Sequence, residues 1–146
     1  MKYLELADLV TEFSEEELVL LTDGTLPNTY NEGRINMAAD KVGSIIDSKL
    51  KSRYSVPFTD PPPFLIRKIA YDLIVNNLYE MNEQTTAMPS TILRRKNEAD
   101  ELLSELAAGT IIMYDEDYEG VYPNMIISNK SGEQREFSSG QLEDFK

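Results

Sequence analysis

Cysteine and histidine are both absent from the chain. Their absence excludes disulfides, zinc sites built on thiolate or imidazole, thiol nucleophiles and every histidine-dependent triad. Metal chemistry would have to rest on carboxylates alone, which favour hard ions such as calcium or magnesium. Neither a glycine-rich phosphate loop nor a nucleophile elbow occurs. No apolar run reaches membrane-spanning length, so no transmembrane helix and no membrane partner is expected. The opening MKYLELADLVTEF interrupts its apolar pattern with Glu5, Asp8 and Glu12, so no signal peptide is expected there. No catalytic, cofactor or metal residue is assigned, and the expectation is a protein that is not an enzyme.

Positive charge is also scarce. Fourteen Lys and Arg stand against 26 Asp and Glu, a formal charge of −12. Such a chain repels phosphate backbones at long range. That fits ordinary acidic solubility, a wall past which DNA slides without sticking, or a decoy that mimics DNA, and composition leaves all three open.

The length of 146 residues suits one core. Residues 3–12 carry Tyr3, Leu6, Leu9 and Val10 at helical spacing. Ser14 and Glu17 have capping-box spacing and open a second short helix over residues 15–21. Turn formers fill 22–33. A long helix over 34–52 follows, its face marked by Ile35, Ala38, Ala39, Val42, Ile45, Ile46 and Leu50. Lys49, Lys51 and Arg53 gather at its C-terminal end, where cations are favoured. Gly43 inside it costs about 1 kcal/mol relative to alanine, which a close helix crossing would explain.

Four of the seven prolines lie in RYSVPFTDPPPFL, residues 53–65. Pro57, Pro61, Pro62 and Pro63 lack backbone donors and hold the preceding residues extended. They predict a stiff connector that sets the angle between two helices, the second starting near Pro63. That helix, over 64–81, is apolar nearly all round, so it is central and contacted from more than one side. Its second cover is either a neighbouring subunit or the two short N-terminal helices. Asp72 on it requires a cation. Arg53 across the helix hairpin and Lys68 four residues earlier are the two candidates, the latter as an exposed pair.

Residues 81–90 form a loop, Ser90 is a candidate cap, and Leu93, Ala99, Leu102, Leu103, Leu106 and Ala107 mark a third long helix that Gly109 stops. The fold class is therefore all-α: two short and three long helices over residues 1–109, then an extended or β-hairpin arm over 110–146. In the arm a strand is expected over 110–114, and a hairpin turn at SNKSGEQ between Ile126, Ile127 and Phe137. DEDYEG at 115–120 opens like a calcium loop but has Ile126 where the twelfth position needs a bidentate Glu, so calcium is not expected. Arg94, Arg95 and Lys96, the only run of three cations, read as a solvated helix face rather than a nucleic-acid site.

In order along the chain stand Tyr3, Leu6 and Leu9; Glu17-Leu18 and Leu21-Thr22-Asp23; then Ile46-Asp47, Leu50, Arg53-Tyr54 and Pro57. Pro63, Leu65, Ala70, Asp72-Leu73 and Leu78-Tyr79 follow, then Arg94, Ala99, Leu102, Leu103 and Gly109, and finally Arg135, Phe137-Ser138, Leu142 and Phe145. This ordered set resembles a family of Mu-like prophage proteins placed among head–tail joining proteins. The chain departs from it in lacking an aromatic near Lys96 or Asn97, and in the acidity of residues 113–129.

The resemblance implies a helical connector, or adaptor, at the virion head–tail junction. Its subunits would form a homo-oligomeric ring on the portal, stay monomeric until the portal templates them, and contact tail-joining proteins. DNA would pass through the lumen without specific binding. The resemblance marks Asp47, Arg53, Tyr54, Pro57, Pro63, Asp72, Tyr79, Arg135, Phe137, Leu142 and Phe145 as assembly candidates. The main rival is an acidic DNA mimic that inhibits a host nucleic-acid enzyme; a carboxylate metal enzyme is a third reading.

Overall fold

The computed structural model describes residues 1–22, 29–82 and 87–113. Five helices make up the fold of these residues, with no strand element: α1 (Leu6–Glu12), α2 (Glu15–Thr22), α3 (Glu32–Leu50), α4 (Phe64–Met81) and α5 (Ser90–Ala108). The fold is all-α, as the periodicity predicts. The three long helices pack on one another, and α2 lies against α3 and α4.

Local chemistry sets the helix ends. Ser14 and Glu17 cap reciprocally, Glu17 N donating to Ser14 Oγ at 3.2 Å and Ser14 N to Glu17 Oε2 at 3.0 Å. Asn31 accepts from Arg34 N at 3.2 Å, so α3 begins at Glu32, two residues before the predicted start. Ser90 is not a cap. It is the first residue of α5, and Pro89 holds the N-cap position with φ −58° and ψ 139°. Gly109 closes α5 at φ 80°, its N–H reaching the carbonyls of Glu105 and Leu106. That left-handed turn is costly for any side chain.

α4 is the central helix. Every residue from 69 to 78 is buried, and Ile69, Ala70 and Ile74 are fully so. Such burial contributes about 1.5–3 kcal/mol for each large aliphatic side chain. The sequence leaves the two short N-terminal helices or a neighbouring subunit to cover α4; α3 and α5 supply most of the cover instead, and α2 adds to it. α2, α3 and α5 pack on α4, and Phe13, just after α1, stacks on Tyr71 at 6.5 Å between ring centroids. Asn76 and Asn77 are buried there with side-chain carbonyl oxygens that find no donor among the described residues, a cost of about 1–3 kcal/mol each.

The polar ends of the bundle are stitched together. Thr22 Oγ1 donates to Leu18 O at 2.7 Å and accepts from Asn31 N at 2.8 Å, joining the end of α2 to the start of α3. Arg34 donates to Met81 O at 3.2 Å and Asn82 to Leu20 O at 2.5 Å.

Three further expectations about the fold need correction. Residues 3–5 precede α1 instead of forming its first turn, and Tyr3 adopts φ 66° with its ring buried. Ile45 is 39% exposed, at the edge of the α3 core face rather than within it. Thr110, Ile111, Ile112 and Met113 form no strand; Met113 is instead buried in the helical core. The rest of the arm, including the proposed hairpin, lies outside the described residues.

Candidate assembly site

The proline-rich connector is where distant parts of the chain meet. Beyond α3 the backbone makes one further turn, with Arg53 N and Tyr54 N both donating to Leu50 O, at 2.9 and 2.8 Å. This buries the Tyr54 ring and leaves Arg53 half-buried. Phe58, also buried, contacts Tyr54 at 6.2 Å between centroids and meets Tyr3 edge-on at 5.7 Å. The Val56–Pro57 and Asp60–Pro61 peptides are cis. Pro57 is exposed, whereas Pro63 is buried at the N-cap position of α4.

Asp47, one turn before the end of α3, organises the N-terminal segment. Its carboxylate pairs with Lys2 Nζ at 2.5 Å and accepts from the Tyr3 hydroxyl. The same hydroxyl accepts from Phe58 N at 3.0 Å. One phenol thus links α3, the N-terminal segment and the connector, and this anchorage holds Tyr3 in its left-handed backbone. Gly43 lies one turn earlier on that face. A Cβ there would approach Lys2 Cδ to 2.7 Å and Lys2 Cβ to 3.1 Å. The close approach that Gly43 allows is therefore to the N-terminal segment and not to a crossing helix.

Arg53 turns to the end of α5. It donates to Ala108 O at 3.5 Å and lies where a Cβ on Gly109 would sit. A cation suits this end because the last helical carbonyls carry partial negative charge. Beside it, Met113 N donates to Tyr54 Oη at 3.5 Å, which ties the segment after α5 to the connector. Asp47, Arg53 and Tyr54 together hold three segments that lie far apart in sequence.

Arg53 does not reach Asp72. The Asp72 side chain is fully buried, with Lys68 Nζ at 3.0 Å on one oxygen and Arg95 Nε at 2.8 Å on the other. The Lys68 pair exists, but on a buried carboxylate rather than an exposed one. Sequence reasoning missed Arg95. Its neighbours bond along their own helix, Arg94 to Glu98 at 2.5 Å and Lys96 to Asp100 at 2.8 Å; of the three cations only Arg94 is exposed, and Lys96 is half-buried. Arg95 alone turns inward, stacking 5.1 Å from the Tyr71 ring centroid and lying 3.9 Å from Glu12. The only sequence signal was the demand of Asp72 for a cation.

Tyr71 donates to Glu12 at 2.9 Å. Burial, followed by that bond and the Glu12 charge, pushes its phenol well above the ordinary tyrosine value. Tyr79 is half-buried; burial, then Glu17, raises it too.

Two hollows flank these clusters. One of about 210 Å³ is lined by Leu4, Asp8, Glu12, Phe64, Arg67, Lys68, Tyr71 and Arg95. A larger groove of about 540 Å³ runs between the N-terminal segment, the start of α3 and the connector. Among the described residues no three or more carboxylates converge as a metal-ligand set, and no helix is long and apolar enough to cross a membrane.

The model of the family described as bacteriophage Mu, Gp36 matches residues 3–121. The chain belongs to that family. No curated protein matches it. The Gp36-family match begins at Tyr3, the residue that anchors the N-terminal segment, and spans Asp47, Arg53, Tyr54, Pro57, Pro63, Asp72 and Tyr79. The structure brings Asp47, Arg53 and Tyr54 around the connector, whereas Asp72 belongs to the separate cluster on α4 and α5. Tyr79 lies two turns further along α4. Arg135, Phe137, Leu142 and Phe145 fall beyond the matched stretch and outside the described residues.

Proposed function

We propose that this phage protein is a non-enzymatic head–tail connector subunit, assembling as a ring on the portal and joining head to tail. The observation that carries the reading is the frame around Asp47 and the connector. There a phage-family chain fixes its N-terminal segment, the helix hairpin and the end of α5 with side chains that bond to one another and to backbone groups of distant segments. Such a frame presents edges of fixed geometry, as a ring subunit requires. The apolar middle of α4 does not contribute to this reading, since the chain's own helices bury residues 69 to 78. The net charge of −12 suits a lumen through which DNA slides without being held. In this role the chain needs no cofactor, and its partners are further copies of itself, the portal and tail-joining proteins.

Native mass spectrometry of the chain, alone and mixed with the portal rings of its phage, tests the proposal. The expected result is a monomer alone and a closed ring of defined copy number on the portal. A monomer that ignores the portal at high concentration overturns the connector role. Stoichiometric capture of a DNA-processing enzyme would then favour the DNA-mimic reading.

A further inference from the structure

The larger groove is shaped and charged for an extended segment of chain. Tyr3, Leu4, Ile35 and Phe58 form a buried apolar floor. Glu5, Glu32 and Asp60 stand exposed around it. The one lysine in its lining, Lys2, is paired with Asp47, and among the described residues no cation pairs with Glu32 or Asp60. An occupant therefore needs a cation for the rim and an apolar group for the floor, closely spaced.

The chain's own C-terminal stretch carries that combination once. After Met113 it contains three cations, Lys130, Arg135 and Lys146. Arg135 and Phe137 are two residues apart, so in an extended backbone they share one face while Glu136 points the other way. Lys146 adjoins Phe145, and such neighbours face opposite ways. Lys130 has no aromatic two residues from it on either side.

The position of Met113 decides between the groove of the same molecule and that of a second one. Met113 N meets Tyr54 Oη, and the Tyr54 ring contacts Phe58, so Met113 lies close to the wall of its own groove. The residues that follow Met113 in sequence include Asp115, Glu116, Asp117 and Glu119, acids that do not suit a carboxylate rim. Arg135 comes 22 residues after Met113, a reach of up to about 75 Å for an extended chain. That is ample to span to a neighbour. We infer that the groove of one copy binds the Arg135–Phe137 segment of a second copy. Arg135 meets the Glu32 and Asp60 rim, and Phe137 enters the apolar floor. The inference extends the ring reading by naming the contact between copies, and it rests on that reading only in requiring a second copy.

The lack of native cysteine makes a crosslinking test clean. The full-length single variants Asn36→Cys, in the exposed wall of the groove, and Ser138→Cys are mixed at high concentration and oxidised, so that the disulfide traps a contact too brief to hold free monomers together. The double variant Asn36→Cys/Ser138→Cys is oxidised in dilute solution. The expected product is a disulfide-linked pair from the mixture, with little closure within the double variant. Glu32→Lys with Asp60→Lys should lower the yield of the pair at least tenfold, and adding Arg135→Glu should restore it. Closure mainly within one chain, absence of the pair, or a yield indifferent to charge reversal overturns the inference. Portal-templated ring formation is scored separately by native mass spectrometry. A ring without the crosslink removes this contact and leaves the connector role standing; the crosslink without a ring does the reverse.

Discussion

Asp47 and Asp72 each take two donors, and each joins segments that are distant in the chain. Their surroundings differ. The Asp47 side chain is 18% exposed and shares its charge between Lys2 and the Tyr3 hydroxyl, at the edge of the bundle. The Asp72 side chain is 0% exposed and held by two cations between α4 and α5. Water can still screen the first carboxylate, whereas the second depends on its partners for nearly all its solvation. The edge cluster therefore sets geometry at modest energetic stake, and the buried cluster governs stability.

The largest effect should follow Arg95→Met, which keeps the stem but leaves Asp72 with Lys68 alone. A loss of about 2–4 kcal/mol is expected in urea unfolding, and a loss below about 1 kcal/mol would put the two aspartates on an equal footing. Tyr3→Phe, which keeps the ring but removes the hydroxyl between Asp47 and Phe58 N, should cost about 1–2 kcal/mol. A second readout locates that loss: amide exchange at Phe58 should accelerate while the α4–α5 core stays protected. If the core exchanges equally fast, the edge cluster is not separable from the buried one.

Tyr71 sharpens the comparison through pH. Its folded-state pKa lies above the ordinary value of 10.0, so the folded protein holds this proton more tightly than the unfolded chain does. The resulting stability is complete below pH 10 and is lost as the pH rises above it toward the folded value. Tyr71→Phe should reduce the decline of the urea midpoint over that alkaline range. An unchanged decline in Tyr71→Phe would place the titrating group elsewhere. The smallest effect should come from Arg94→Ala. Its pair with Glu98 is solvent-exposed, so the change should stay within about 0.5 kcal/mol, beside the far larger loss at the adjacent residue.

Much of the bundle was legible because its signals are local. The Ser14–Glu17 box, the left-handed Gly109 and the prolines before Phe64 each act within a few residues, and each appears where expected. The all-round apolarity of α4 correctly made it central. What covers it was open, because a helical wheel reports how much surface must be buried and not which element buries it. The same limit applies at Asp72. The sequence showed the need for a cation, and Arg53 stands beside the proline connector, yet its side chain extends to Ala108 at the end of α5. Gly43 likewise announced a close approach without naming Lys2 as what approaches.

The sequence by itself determined five helices, most of their ends, the stiff connector and the exclusion of thiol and imidazole chemistry. Periodicity, capping and residue chemistry are properties of neighbouring residues or of composition, so these follow without a fold. Only the tertiary structure decided that Lys2 and Tyr3 meet Asp47 across more than forty residues, that Arg95 turns inward while Arg94 and Lys96 do not, and that a groove opens beside Phe58. Those pairings depend on where helices cross and on which side of each crossing excludes water.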